Sequence, residues 1–150
     1  MRVHQYTEGE VRSFDVEPTE RLSDHLVFAE ESILFLVSEE GQPVAVDVRF
    51  EEVILGGSGA FVTHKHPTIE VVVHYQGRAV QFEVSPGTRV DSVRERAIRD
   101  FSIDATDAAD IGIRVLGATE DLDPSLPIGH VVHAHHKIEL ELVAMVHPQG

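Results

Sequence analysis

The pentapeptide Phe14-Asp15-Val16-Glu17-Pro18 returns 68 residues later as Phe82-Glu83-Val84-Ser85-Pro86. The same offset lays Val3 on Val71, Gly9 on Gly77, Arg21 on Arg89 and Leu22 on Val90. Self-similarity at a fixed period marks repeated structural units, so 150 residues read as two small units of one architecture. The boundary falls at Thr63-His64-Lys65-His66-Pro67, a polar linker closed by a proline that pushes its predecessor to extended backbone. The expected division is 1–66 and 67–150.

The second unit is the easier to read. Residues 69–75 are β-branched and predict a strand, 76–78 a turn, and 79–84 a returning strand with Val80, Phe82 and Val84 on one face. Pro86-Gly87 stops this hairpin. Thr88, with Asp91 three residues on, predicts a capped helix start. Along that helix Val90, Val93, Ala97 and Phe101 form one apolar stripe. Arg94, Arg96 and Arg99 lie off the stripe and read either as a docking face for an acidic enzyme surface or as a solvated face paired with Glu95 and Asp100. Residues 104–110 connect to a strand over 111–116, and 121–129 lead to the last strand. There Ile138, Leu140 and Leu142 alternate with Glu139, Glu141 and Val143. The first unit follows the same order with shorter parts: strands over 2–6 and 11–16, at most two helical turns over 21–28, and a strand over 33–37. A further strand over 44–50 and a last one over 60–63, after a hinge or turn at Gly56-Gly57-Ser58-Gly59, complete it. The order hairpin, helix, strand, short strand, strand is that of a β-grasp. The fold class is α+β, two tandem β-grasp units with the first degenerate.

The residues that carry this order resemble ubiquitin. Residues 77–90 look like its passage from hairpin to helix, Gly112-Ile113-Arg114-Val115-Leu116-Gly117 is similar to its third strand, and 137–143 match its last. Gly150 stands where a modifier's terminal glycine stands. Two fused units ending in Gly resemble the ISG-fifteen type of tandem modifier. They are more similar still to bacterial counterparts that work with their own activating enzyme, conjugating enzyme and deconjugating protease in antiphage defence. That resemblance implies that the Gly150 carboxylate is adenylated with ATP, passed to enzyme thiols and attached to target proteins. The chain would then be the tag, with no cofactor of its own and all catalysis in its partners. Met145, Val146, His147, Pro148 and Gln149 would form the tail those enzymes read. Glycine suits the end because it brings no Cβ into a narrow channel. Pro148-Gln149-Gly150 has a single Gly and no Arg, so activation by a eukaryotic-type enzyme is not expected. Arg114 stands where ubiquitin exposes an apolar residue on its third strand. With Val143 it marks the expected interaction face, which offers a charge in place of an apolar anchor. Only Lys65 and Lys137 could accept a further copy, so single attachment is expected.

Composition narrows the partners. The net charge is −14, and each half is acidic: 13 carboxylates in 1–66 and 13 in 67–150 stand against 5 and 7 Lys and Arg. No basic tail or stripe is present to neutralise a phosphate backbone, so nucleic acid is not an expected partner; proteins with basic faces are. No apolar run is long enough for a membrane span, the first ten residues lack a secretory apolar region, and there is no cysteine. A cytoplasmic protein without disulfides, thiolate nucleophile or zinc–sulfur site is expected.

A rival pattern uses the boundary. His64-x-His66-x3-Glu70-x6-Gly77 resembles the first metal motif of cupins, whose imidazoles and carboxylate would hold iron, manganese or nickel with open positions. The second cupin motif is missing, because Pro86-Gly87-Thr88-Arg89 leads into a helix. His130, His133, His135 and His136 cluster before the last strand and read either as a solvated loop or as a metal- or proton-sensitive site. A third reading is a non-conjugated β-grasp adaptor in which Gly150 is incidental. Metal content separates the cupin from the modifier, and dependence on Gly150 separates the adaptor.

Overall fold

The repeat holds in the hydrogen-bonding register as well as in the sequence. In the computed structural model, which describes residues 1–7 and 9–144, β1 (Arg2–Tyr6) pairs antiparallel with β2 (Val11–Asp15) and parallel with β4 (Ser58–His64). Strand β3 (Ile33–Leu36) lies antiparallel on the far side of β4. Strands β5 (Ile69–Tyr75), β6 (Arg78–Val84), β7 (Ile111–Val115) and β8 (Lys137–Ala144) repeat this arrangement, giving orders β2-β1-β4-β3 and β6-β5-β8-β7. Val3 faces Phe14 across one hairpin and Val71 faces Phe82 across the other, the same 68-residue step. Helix α1 (Leu22–His25) begins after Arg21 and α3 (Val90–Asp100) after Arg89. The main-chain bonds that tie each helix start to its loop also repeat: Leu22 N–H donates to Val48 O as Val90 N–H does to Leu126 O. Two β-grasp units result.

Past the helix the offset grows from 68 to 79, for Phe35↔Val62 in the first sheet answers to Arg114↔Glu141 in the second. The extra eleven residues lie between helix start and third strand. There the second unit has the 11-residue α3 followed by α4 (Ala105–Ala108), whereas α1 is a single turn. Short helices α2 (Phe50–Val53) and α5 (Ile128–Val131) precede the final strands. The predicted stripe Val90, Val93, Ala97 and Phe101 is buried against Val71, Val73, Ile113, Leu140 and Leu142. Each such side chain contributes about 1.5–3 kcal/mol by leaving water. The β5–β6 turn places Gln76 and Gly77 at φ 48° and 77°, the left-handed pair that a two-residue hairpin needs.

The first unit has less helix to cover its sheet, and a polar side chain takes part of that work. Gln5, at the place of Val73, is fully buried. Its amide donates to Val27 O at 2.6 Å and accepts from Val27 N–H at 3.0 Å, while Arg12 donates to the same oxygen at 3.1 Å. The glutamine thereby pairs both main-chain groups of Val27, and its own buried amide is satisfied as well.

Four local expectations are corrected. Residues 44–50 are not a strand. Val44 N–H reaches Leu34 O, and the carbonyls of Val46 and Val48 receive Ser23 and Leu22 N–H, so the valine alternation belongs to a loop closing over α1. Thr88 does not cap α3: Arg89 is the N-cap, and the buried Thr88 hydroxyl donates to Glu40 O across the units at 3.4 Å. The expected hinge or turn is confined to the bend at Gly56-Gly57, since Ser58 and Gly59 already belong to β4. A Cβ on Gly59 would lie 2.6 Å from Ile54 Cδ1, so the glycine admits the packing of the preceding loop. Thr63 and His64 finish β4, and both are buried where a polar linker was expected.

The units meet through the outer face of the first sheet. Phe35, Val37 and Val62 are buried there, with Tyr6, Ile33 and Ala60 around them. The segment after β6 closes on this face. Ser38 N–H donates to Gly87 O and Arg89 N–H to Ser38 O, both at 3.1 Å. A Cβ on Gly87 would stand 2.6 Å from Leu36 O and 2.8 Å from Phe35 Cβ, so only glycine permits this approach. Helix α5 adds His130, whose ring meets Tyr6 edge-on at 5.1 Å and whose Nδ1 lies 3.1 Å from Thr7 O.

Candidate interaction face and conjugation tail

Strand β8 is interior to its sheet, held by β5 on one side and β7 on the other as far as Ala144, which pairs with Ile111. Ile138, Leu140 and Leu142 turn to the core because alternate residues of a strand face opposite ways. Glu139, Glu141 and Val143 therefore face out. The tail residues Met145, Val146, His147, Pro148, Gln149 and Gly150 lie outside the described residues. What the structure positions is their point of departure, the end of a central strand anchored on both edges.

On the same outer face Arg114 stands opposite Glu141 and Val143 opposite Gly112. Arg114 is only 20% exposed. Its Nε and Nη2 donate to Asp121 Oδ1 at 3.1 and 2.8 Å, and Nη1 reaches Thr119 O at 3.5 Å. A Cβ on Gly112 would collide with the Asp121 carboxylate, so that glycine makes room for the residue that clamps the arginine. The expected pair Arg114 and Val143 thus share a face, but the guanidinium is already engaged within the chain. Around it stand Glu139, which His74 approaches at 3.4 Å, and Glu70, which Gln81 bonds. Among the described residues this face is charged and mainly acidic.

On the helix side, Arg94 does more than solvate a face. Its Nε and Nη2 donate to the carbonyls of Ile111 and Ala108 at 2.7 and 2.6 Å, fastening α4 and the start of β7 to α3. Arg96 lies 4.4 Å over the Phe82 ring. In the loop before α5, Asp123 accepts the main-chain and side-chain donors of Ser125, which hold its carboxyl below the usual carboxylate range.

The rival metal set is not brought together. His64 is fully buried. Its Nδ1 accepts His66 N–H at 3.0 Å and its Nε2 donates to His133 O at 2.6 Å, so both ring nitrogens are occupied in a neutral imidazole. Glu70 lies on the outer face of β5, where Gln81 bonds its carboxylate. Among the described residues no three His, Asp or Glu side chains form a group fit for a metal. Two separate sheets also replace the single barrel a cupin needs. His130 and His133 do not belong to a purely solvated loop, since both join the seam between the units. Sequence reasoning missed this role. Its available signal was an uninterrupted apolar run at residues 33–37, which marks a strand buried on both faces.

The family described as BilA ubiquitin-like domain 2 matches residues 70–145, just over half of the chain. No curated protein matches. Among solved structures, a ubiquitin of Caldiarchaeum subterraneum is similar at 13% identity over 55% of this chain and 99% of its own, with a TM-score of 0.42. A designed protein based on ubiquitin is 15% identical over 56% of this chain and 96% of its own, with a TM-score of 0.44. An Arabidopsis thaliana protein is 14% identical over 57% and 95%, with a TM-score of 0.41.

Proposed function

The chain belongs to the BilA ubiquitin-like family, and on that premise we propose that it is a protein modifier attached to targets through the Gly150 carboxylate. The observation that carries this reading is the family match over β5 to β8, whose last strand is the interior one and leads directly into the tail. The chemistry runs in partner enzymes. A carboxylate oxygen of Gly150 attacks the α-phosphorus of ATP and expels pyrophosphate. An enzyme thiol displaces AMP to give a thioester, and a target amine displaces the thiol to give an amide. The chain's own contribution is to present an unbranched end from a strand paired on both sides.

The partners are an activating enzyme, a conjugating enzyme, a deconjugating protease and target proteins, and the setting is bacterial antiphage defence in the cytoplasm. Units 1–66 and 67–150 act together, the second carrying the tail. No helix among the described residues is long and apolar enough to cross a membrane. Incubation of the chain with ATP and extract of its native host tests the reading. ATP-dependent high-mass adducts form with the wild type and disappear with Gly150→Glu. Adducts that persist in Gly150→Glu, or that form without ATP, contradict it.

A further inference from the structure

We propose that a groove in the first unit receives an aromatic side chain carried on a helical turn of a partner protein, beside a basic residue. The groove has a volume of about 520 Å³ and is lined by Thr7, Glu10, Val27, Ser32, Thr63 and Lys65 among others. The internal repeat identifies what belongs there. At the offset of 68, Thr7 and Glu10 occupy the places of Tyr75 and Arg78; at 79, Ser32 and Thr63 occupy those of Ile111 and Leu142. In the second unit these four positions hold Phe101 at the end of α3. Its ring lies 5.6 Å from that of Tyr75 and 5.3 Å beneath the Arg78 guanidinium, in one buried cluster with Ile111 and Leu142. In the first unit α1 stops at His25, and the corresponding space is open.

The space is also preformed. Gln5 fixes the main chain of Val27 through both its donor and its acceptor, so that wall does not depend on an occupant. Val27 is 54% exposed and the adjoining Phe28 37%, apolar surface that a docked ring would cover. The rim states the charge. Glu10 stands where Arg78 covers Phe101, and among the described lining residues Glu30 joins it against one cation, Lys65. The ring must therefore arrive with a positive neighbour rather than meet one. This mode of binding is helix-in-groove docking with a single aromatic anchor, and it does not rest on conjugation.

The test is titration of the full chain with a peptide copying residues 94–103, Arg-Glu-Arg-Ala-Ile-Arg-Asp-Phe-Ser-Ile, followed by amide resonances. Saturable shifts are expected at Thr7, Ser32, Thr63 and Lys65. Replacing the peptide's Phe by Ala weakens binding about tenfold or more, the factor that loss of a buried ring brings. Val27→Asp in the chain abolishes binding, while unchanged resonances of Val3 and Phe61 show that the core is intact. Shifts that map elsewhere, equal binding by the Ala peptide, or none at millimolar peptide overturn the proposal. So does self-association that moves the same resonances without peptide, which would make a second copy the occupant.

Discussion

The two sheets carry the same fold and present opposite outer faces. Phe35 opposite Val62 in the first sheet answers to Arg114 opposite Glu141 in the second. Tyr6 answers to His74, Ala60 to Glu139, and the buried His64 to the half-buried Val143. One face is apolar and lies under the other unit. Its counterpart is charged and holds its arginine in an internal ion pair. Backbone register alone therefore does not decide what a sheet face binds. Two side chains per register position do.

The most disruptive way to break the comparison is to give the first face the residues of the second. Phe35→Arg with Val62→Glu places charges under the seam and costs about 4 kcal/mol or more, since buried charges keep only part of their attraction. Urea unfolding should move far to low denaturant. The reverse exchange, Arg114→Phe with Glu141→Val, leaves the fold intact and creates an exposed apolar patch. Sedimentation should then show stronger association than for the wild type.

Gly87 and its counterpart Thr19 sharpen the same contrast. Gly87→Val drives a side chain into Leu36 O and Phe35, at about 2–3 kcal/mol, whereas the exposed Thr19→Ala stays within about 0.5 kcal/mol. His64→Leu leaves His66 N–H and His133 O without their ring partner and costs about 2 kcal/mol by chemical denaturation. Val143→Leu, at the matching position, should be nearly silent. Arg114→Leu breaks a partly exposed ion pair and should cost at most about 1 kcal/mol.

The smallest effect distinguishes the helix starts. Glu20 precedes α1, and its carboxyl is held below the ordinary carboxylate value by a bond from His25 and another from Glu17 N–H. Thr88 occupies the corresponding place before α3. The stability contributed by Glu20 is present above its unfolded pKa and fades as pH falls through the lower folded value. Glu20→Gln should slightly flatten the acid limb of the stability curve, and Thr88→Val should not change its shape.

Much of this fold was legible because repeat and period agreed. The 68-residue offset, the strand at the end of the chain and the stripe on α3 all follow from side-chain spacing, and tertiary packing did not override it. Residues 44–50 misled because Val44, Val46 and Val48 alternate as a strand does, yet their partners are main-chain groups of β3 and α1. Thr88 misled because a hydroxyl suited to capping is used across the seam. His64 and His66 carry a metal-like spacing, but burial and two main-chain partners turn His64 into a structural residue. Only packing between units could show that. Arg114 and Val143 do share a face, one opposite Glu141 and the other opposite Gly112. The clamp from Asp121 was invisible, because seven residues and a turn separate it from Arg114.

The most direct test is a peptide map of the adduct. Trypsin cuts last after Lys137, so a conjugate through Gly150 leaves residues 138–150 as a branch on a target residue. The predicted spectrum contains a target peptide carrying Ile-Glu-Leu-Glu-Leu-Val-Ala-Met-Val-His-Pro-Gln-Gly joined by an amide at its final carbonyl. Adducts joined through any other residue of the chain, with a free Gly150 carboxylate, would contradict the modifier reading outright.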